Sequence, residues 1–345
     1  MKPLRILALM HEDLIPPEKP GEGVDLATVE WKTEYDVVTT LRDMGHEVRP
    51  VGLRNDLSVI RKAIDDWKPH IAFNLLEEFD GVAVYDQNVV SYLELLRMPY
   101  TGCNPRGLML SRDKSLTKKV LSYHRIPSPD FFVCPLGETV KRPKRLDFPL
   151  IVKSISEEAS LGISQASIVE DDEKLKERVA FIHNSVGTGA LVERYIEGRE
   201  LYVGVLGNRQ LQVLPVWELV MDKMPEECRR IATQRVKWSH KYQTKYGISS
   251  CAAKDLPNGM AGEIQRLAKR IYRILGLGGY ARIDLRLDQN HKVYVLEANP
   301  NPQIAHDEDF AKSAGEVSIP YTSLLQRIIN LGLQWSPRLQ SEASV

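Results

Sequence analysis

Over roughly its first hundred residues the chain switches repeatedly between strand and helix periods, and this alternation restricts the fold more than any other feature. Leu4 to Met10 reads as a buried strand. Tyr35, Val38, Leu41 and Met44 then recur at helical spacing, and Gly45 stands where that helix would stop. EVRPVGL follows as a strand, DLSVIRKAIDDW as a helix with Asp56 as its N-cap, HIAFNLL as a third strand, and VYDQNVVSYLELL as a third helix. Strands and helices in strict alternation predict a parallel sheet with covering helices. The polar loop from Pro16 to Gly23 follows the first strand, at the edge where open α/β sheets receive ligands.

Beyond this region the pattern becomes α+β. SRDKSLTKKVLSYHR predicts a helix capped by Ser111, followed by strands at DFFVC and FPLIVKSI, a turn-rich loop SEEASLG, and a strand QASIV. A charged helix over 172–183 and strands GALVERYI and RELYVGVLG close the region. A third region opens with strand QLQVLPVWELV. It continues through a long irregular segment, 221–257, of the kind that forms lids and binding loops. A helix with Ile264, Leu267, Ile271 and Leu275 on one face comes next, then the paired strands YARIDLRL and KVYVLEANP, and a last helix YTSLLQRIINLG. The expected domains are 1–105 (parallel α/β), 106–206 (α+β) and 207–335 (α+β), with a disordered polar tail over 336–345.

Lys plus Arg and Asp plus Glu balance at 46 each, which gives no support to a nucleic-acid or anionic-membrane partner. Cys103, Cys134, Cys228 and Cys251 are scattered without a C-x-x-C pair, so reduced thiols are expected in place of a disulfide framework or structural zinc. The N-terminal apolar run is too short for a signal peptide or a membrane span, and the cytoplasm is the expected location.

The chemistry concentrates in the C-terminal pair of strands. Side chains alternate faces along a strand, so Arg282, Asp284 and Arg286 share one face, and Val293, Val295, Glu297 and Asn299 share a face of the next strand. A turn near Gln289 and Asn290 sets Asp284 roughly across from Glu297, with Asn299 beside Arg282. Adjacent carboxylates repel and need a cation; an all-oxygen set suits Mg²⁺ completed by phosphate oxygens. The alternative is a solvated hairpin whose acids pair with Arg282 and Arg286. Lys153 ends an apolar strand and is followed at once by small residues that would let backbone N–H groups approach an anion. The plain alternative is a solvated strand-end lysine. VERYIEGRE ends a strand at Glu193, bends at Gly198 and resumes at Glu200. It could offer backbone groups to a flat base and a carboxylate to a sugar hydroxyl, or be a hairpin with ordinary surface charges.

These pieces, in this order, resemble the ATP-grasp superfamily, and within it the D-alanine–D-alanine ligase family, over nearly the whole chain. The resemblance implies a three-domain ATP-grasp fold and an ATP- and Mg²⁺-dependent carboxylate–amine ligase acting through an acyl-phosphate. It implies nucleotide-binding roles for Lys114, Lys153, Ser160, Gly162, Glu193, Tyr195 and Ile196, with Glu200 at the ribose. Asp284, Glu297 and Asn299 would hold two Mg²⁺ (or Mn²⁺), Lys237 would close on the phosphates from the lid, and Arg282 would steady the reacting phosphate. The partners implied are small carboxylate and amine substrates, amino acids or peptides, with a homodimer as a family expectation.

The chain departs from that family around the substrates. Ala159 stands where the family carries a serine, Trp238 where it carries a tyrosine, and its N-terminal glutamate has only Glu30 as a nearby counterpart. After Asn299, Gln303, Asp307, Glu308 and Asp309 replace the family's glycine and serine. An acidic rim suits a cationic or amine-bearing acceptor, which points away from two D-alanines. The other readings are a D-alanine–D-alanine ligase with a divergent pocket, an ATP-grasp phosphotransferase, and a nucleotide-binding module without turnover.

Overall fold

In the computed structural model, which describes residues 2–156 and 162–336, the chain forms three sheets. The N-terminal part runs β1 (Arg5–His11), α1 (Lys32–Asp43), β2 (Glu47–Leu53), α2 (Ser58–Trp67), β3 (Ile71–Asn74) and α3 (Asp86–Leu95). Its strands pair in parallel in the order β2-β1-β3, as the alternating periods require. The apolar stripe of α1 is buried through Val37, Val38 and Leu41, and Gly45 takes φ +86° just beyond the helix. The N-cap of α2 is Leu57 and not Asp56, which stands one residue earlier and accepts from the Ser58 N–H at 2.8 Å and the Ser58 hydroxyl at 2.7 Å.

Two helices lead onward, α4 (Pro105–Arg112) and α5 (Lys114–Tyr123). Ser111 is not a cap: it lies inside α4, which Asn104 caps, with Pro105 in the first turn. Asp113 caps α5, accepting from the Leu116 N–H at 2.9 Å. Both helices are tied down, α4 through a buried Arg112–Asp86 ion pair of 2.5 Å and α5 through the Lys114 N–H on the Ile155 carbonyl at 3.3 Å.

The middle sheet comprises β4 (Phe131–Cys134), β5 (Leu150–Ser154), β6 (Ile168–Val169) and β7 (Ala190–Arg194), all antiparallel, in the order β4-β7-β5-β6. One face, with Leu150, Val152, Ala190 and Val192, packs under α6 (Asp172–Phe181). The stretch predicted as strand QASIV is mostly a 3₁₀ turn over Gln165–Ser167, and only Ile168 and Val169 pair.

The third sheet contains β8 (Arg199–Leu206), β9 (Gln212–Met221), β10 (Ile248–Ala252), β11 (Tyr280–Leu287) and β12 (Val293–Pro300), in the order β10-β9-β8-β11-β12. β8, read from sequence as the close of the middle region, therefore pairs here, between β9 and β11. Gly198 makes the transfer possible. Its φ is +149°, and a Cβ there would overlap the Leu287 carbonyl. The segment read as irregular is built in part, with α7 (Gln234–Trp238), α8 (His240–Tyr246) and β10 within it. The long helix α9 (Met260–Ile274) covers the apolar face of Leu201, Val203, Ile283 and Leu285. Two last helices, α10 (Asp309–Glu316) and α11 (Tyr321–Leu333), pack Phe310, Leu324 and Ile328 against the N-terminal core. The predicted disordered tail lies, but for Ser336, outside the described residues.

Candidate active site

The polar faces of the two antiparallel sheets carry the chemistry. Asp284 pairs directly with Glu297, and Arg282 with Asn299. A β-bulge after Asp284 produces this register: Leu285 pairs with Val295, so without the extra residue Asp284 would oppose Leu296. The bulge also corrects the face assignment. Val295 is buried with Leu285 in the core, away from Glu297 and Asn299.

Arg282 grips Asp284 through two hydrogen bonds, Nε to Oδ1 at 2.8 Å and Nη2 to Oδ2 at 2.9 Å, and its guanidinium lies 4.6 Å from the centre of the Tyr202 ring. Lys114 reaches to 3.9 Å from Glu297 Oε2, and the Asn299 amide donates to Glu297 Oε1 at 3.4 Å. Burial pushes the Glu297 carboxyl up, but Lys114, Lys237, Lys153 and Arg282 outweigh it and hold it at about 2. Burial dominates at Asp284, which sits above its ordinary value despite Arg282. Lys237 on α7 acts on both carboxylates, so the segment over 221–257 brings its cation to the same place.

This set fits a hard divalent cation. Among the described residues no cluster of three or more His, Cys, Asp or Glu forms a closed cage. Two carboxylates in register with one amide oxygen make an open half-shell, as expected where phosphate oxygens complete the coordination of Mg²⁺. Bound there, the ion would supply charge neutralisation for a phosphoryl group.

On the facing sheet, Lys153 is no solvated strand end. Its ammonium lies 3.3 Å from Glu193 Oε2. Glu193, read as a base-side residue, has its carboxylate buried between Lys153 and Lys118, the latter 3.2 Å from Oε1. Burial raises Glu193, and the two lysines overcome it to leave the group below its ordinary value. Tyr195 and Ile196 are buried at the connection from β7 to β8, with the Tyr195 N–H already donated to Pro149 at 3.0 Å. Glu200 accepts from Arg286 at 2.8 Å and from the Tyr202 hydroxyl at 3.0 Å; a carboxylate still has acceptor sites left for a sugar hydroxyl. The Gly162 carbonyl is held by Arg178, which also donates to the Ser167 hydroxyl at 2.8 Å. Ser160 and Ala159 lie outside the described residues.

The segment over 221–257 closes across the cleft. Gln165 exchanges hydrogen bonds with the Arg229 backbone at 2.9 and 3.0 Å, and the Gln234 N–H reaches the Ile163 carbonyl at 3.2 Å. Arg286 fastens its root, donating to the carbonyls of Arg230 at 2.9 Å and Gly198 at 3.0 Å.

Three residues of this neighbourhood escaped the sequence reading. Lys118 follows Lys114 by one helical turn, a spacing that was visible. Arg286 was assigned to the right face without its partner Glu200. Glu34, and not the exposed Glu30, is the buried N-terminal carboxylate. It is 4% exposed, its Oε2 has no hydrogen-bond partner among the described residues, and burial with the nearby Glu77 pushes it up to about 7. Glu34 opens α1 and Glu77 follows β3, so both stand at the ligand edge of the parallel sheet.

Two antiparallel sheets turning lysines, arginines and carboxylates toward one another, beside a parallel α/β domain, define the class of ATP-grasp ligases. The family described as D-ala D-ala ligase C-terminus matches residues 120–330. The D-alanine–D-alanine ligase of Desulforudis audaxviator is 30% identical over 299 residues, 86% of this chain and 90% of that protein. An uncharacterized protein of Sinorhizobium fredii, y4sG, is 30% identical over 261 residues, 76% of this chain and 74% of its own length. In fold, the D-alanine–D-alanine ligase of Bacillus anthracis complexed with ATP superposes with a TM-score of 0.74 at 23% identity, covering 98% of this chain and 99% of that one. The chain belongs to the D-alanine–D-alanine ligase family. It is an ATP-dependent carbon–nitrogen ligase. No helix among its described residues is long and apolar enough to cross a membrane.

Proposed function

We propose that the chain joins a small carboxylate to an amine through an acyl-phosphate, and that its substrates are not two D-alanines. The observation that carries the first part is the pairing of Asp284 with Glu297 opposite Lys153, within reach of Lys114, Lys237 and Arg282. A carboxylate oxygen of the donor attacks the γ-phosphorus of ATP and ADP leaves. The amine nitrogen then attacks the acyl carbon, inorganic phosphate departs with one former carboxylate oxygen, and the nitrogen loses a proton. The work of these residues is to position the reactants and spread charge. Lys114, Lys153 and Lys237 hold phosphate oxygens, Arg282 meets the transferring group, and Asp284, Glu297 and Asn299 hold Mg²⁺. The turn from Glu193 through Ile196 borders the base, Gly162 the phosphates, and Glu200 the ribose.

The second part rests on the connection from β12 to α10. Asp307 is taken up by Lys32 at 2.8 Å, and Asp309 accepts from Ser250. Glu308 remains, half-buried, raised by burial and by its acidic neighbours against the pull of Arg282. A carboxyl beside Arg282 would oppose an acceptor carboxylate and favour an amine or cation. The second reading, ligation of two D-alanines, is favoured by the names of the relatives. A phosphate-release screen over pairs of amino acids and amines, with products weighed by mass spectrometry, separates the two. Efficient turnover with D-alanine alone would overturn the proposal of a different pair.

A further inference from the structure

Lysines that bind phosphates are normally free to swing, yet Lys153 faces a carboxylate deep in the protein. Glu193 is 2% exposed and Lys153 14% exposed, and a lone pair of that kind draws its members together strongly. Glu193 is not left alone with Lys153, however. Lys118, 1% exposed, stands on the other carboxylate oxygen at 3.2 Å, and its ring neighbour is Phe131, 5.7 Å away. Phe131 pairs with Glu193 across the strands, so the three side chains occupy one pocket beneath the cleft.

The Lys118 ammonium is held by Glu193 at 3.2 Å, and among the described residues it has no further hydrogen-bond partner. Burial pushes it down, in keeping with a charge kept at a cost. Such a group is retained where its charge has an effect elsewhere. Its helix suggests where. α5 carries Lys114 toward Glu297 on one sheet and Lys118, one turn later, toward Glu193 on the other.

We propose that Lys118 is a positioning residue: by sharing the Glu193 carboxylate it prevents Lys153 from being drawn fully into that ion pair and keeps its ammonium turned to the nucleotide cleft. This rests on the reading of Lys153 as a phosphate ligand. With Lys118 neutralised, the whole charge of Glu193 falls to Lys153, and a phosphate must compete with it. Removing the Glu193 charge as well should release Lys153 again.

The test is calorimetric titration with the non-hydrolysable nucleotide AMP-PNP and Mg²⁺, alongside thermal melting, on the parent, Lys153→Ala, Lys118→Met, Lys118→Arg and the double variant Lys118→Met/Glu193→Gln. Lys118→Met is expected to bind about tenfold more weakly. Lys118→Arg should stay near the parent, and the double variant should recover most of the loss. A purely structural Lys118 would lower the melting temperature without this recovery. If Lys153→Ala weakens binding and Lys118→Met does not, the inference is wrong while the nucleotide site stands. If neither changes binding, the site itself is misplaced. Should Lys118→Met not fold, Lys118→Gln, which keeps a polar neighbour for Glu193 without the charge, replaces it under the same expectations.

Discussion

Replacing Glu297 with Gln is expected to lower kcat by roughly 10³-fold at saturating ATP and Mg²⁺, as fits the several kcal/mol of charge stabilisation lost with a metal ligand. Glu297 faces Lys114, Lys237, Lys153 and Arg282, and it pairs in register with Asp284. The amide has nearly the same shape but leaves four cations facing the polar side of β12 without its counter-charge. A stability change should accompany the loss. Because the folded carboxyl is held at about 2, it contributes stability that is present above its unfolded value of 4.5 and disappears as pH falls toward 2. The side chain is 26% exposed, so solvent screening reduces that contribution to ~1–2 kcal/mol at neutral pH. Steady-state phosphate release, with circular dichroism to verify the fold, measures both. Near-parental turnover would remove Glu297 from the metal site, and Asp284→Asn should reproduce the loss.

Lys153→Ala is expected to weaken nucleotide affinity by ~2–3 kcal/mol, the size of a lost charge-assisted bond in a partly buried cleft. The effect should lie in nucleotide binding more than in the turnover of enzyme saturated with it, because a lysine in the proposed phosphate-binding role would contact phosphate before and during transfer alike. Calorimetry with ATP reads it directly. An unchanged dissociation constant would mean that the cleft beside Glu193 is not where the phosphates lie.

Much of the architecture was legible because it follows from periodicity. Ile6 through Met10 alternate with the Val37–Leu41 stripe, and only a parallel sheet with helices satisfies both. The pairing of Asp284 with Glu297 was also readable, since a short turn leaves few registers. The bulge that makes the pairing hold was not, for nothing in Leu285 or Leu296 announces an extra residue. The assignment of β8 to the C-terminal sheet was equally hidden: Gly198 marks a break in the chain but does not say which sheet the next strand joins. Ser111 and Asp113 are both capping residue types, and it is the Asn104-Pro105 start that places Ser111 inside α4. The helices α7 and α8 span five and seven residues, too few for a period to emerge from a charged background. Side-chain networks such as Lys118–Glu193–Lys153 join residues far apart in sequence, and no local pattern encodes them.

The proposed ligation requires the donor carboxylate to be phosphorylated before the amine arrives. With the substrate pair identified by the screen, the donor carboxylate is labelled with ¹⁸O and the released inorganic phosphate is weighed. Each phosphate should carry one oxygen from the donor, transferred when the acyl–oxygen bond breaks. Unlabelled phosphate, formed together with the amide product, would contradict the acyl-phosphate route.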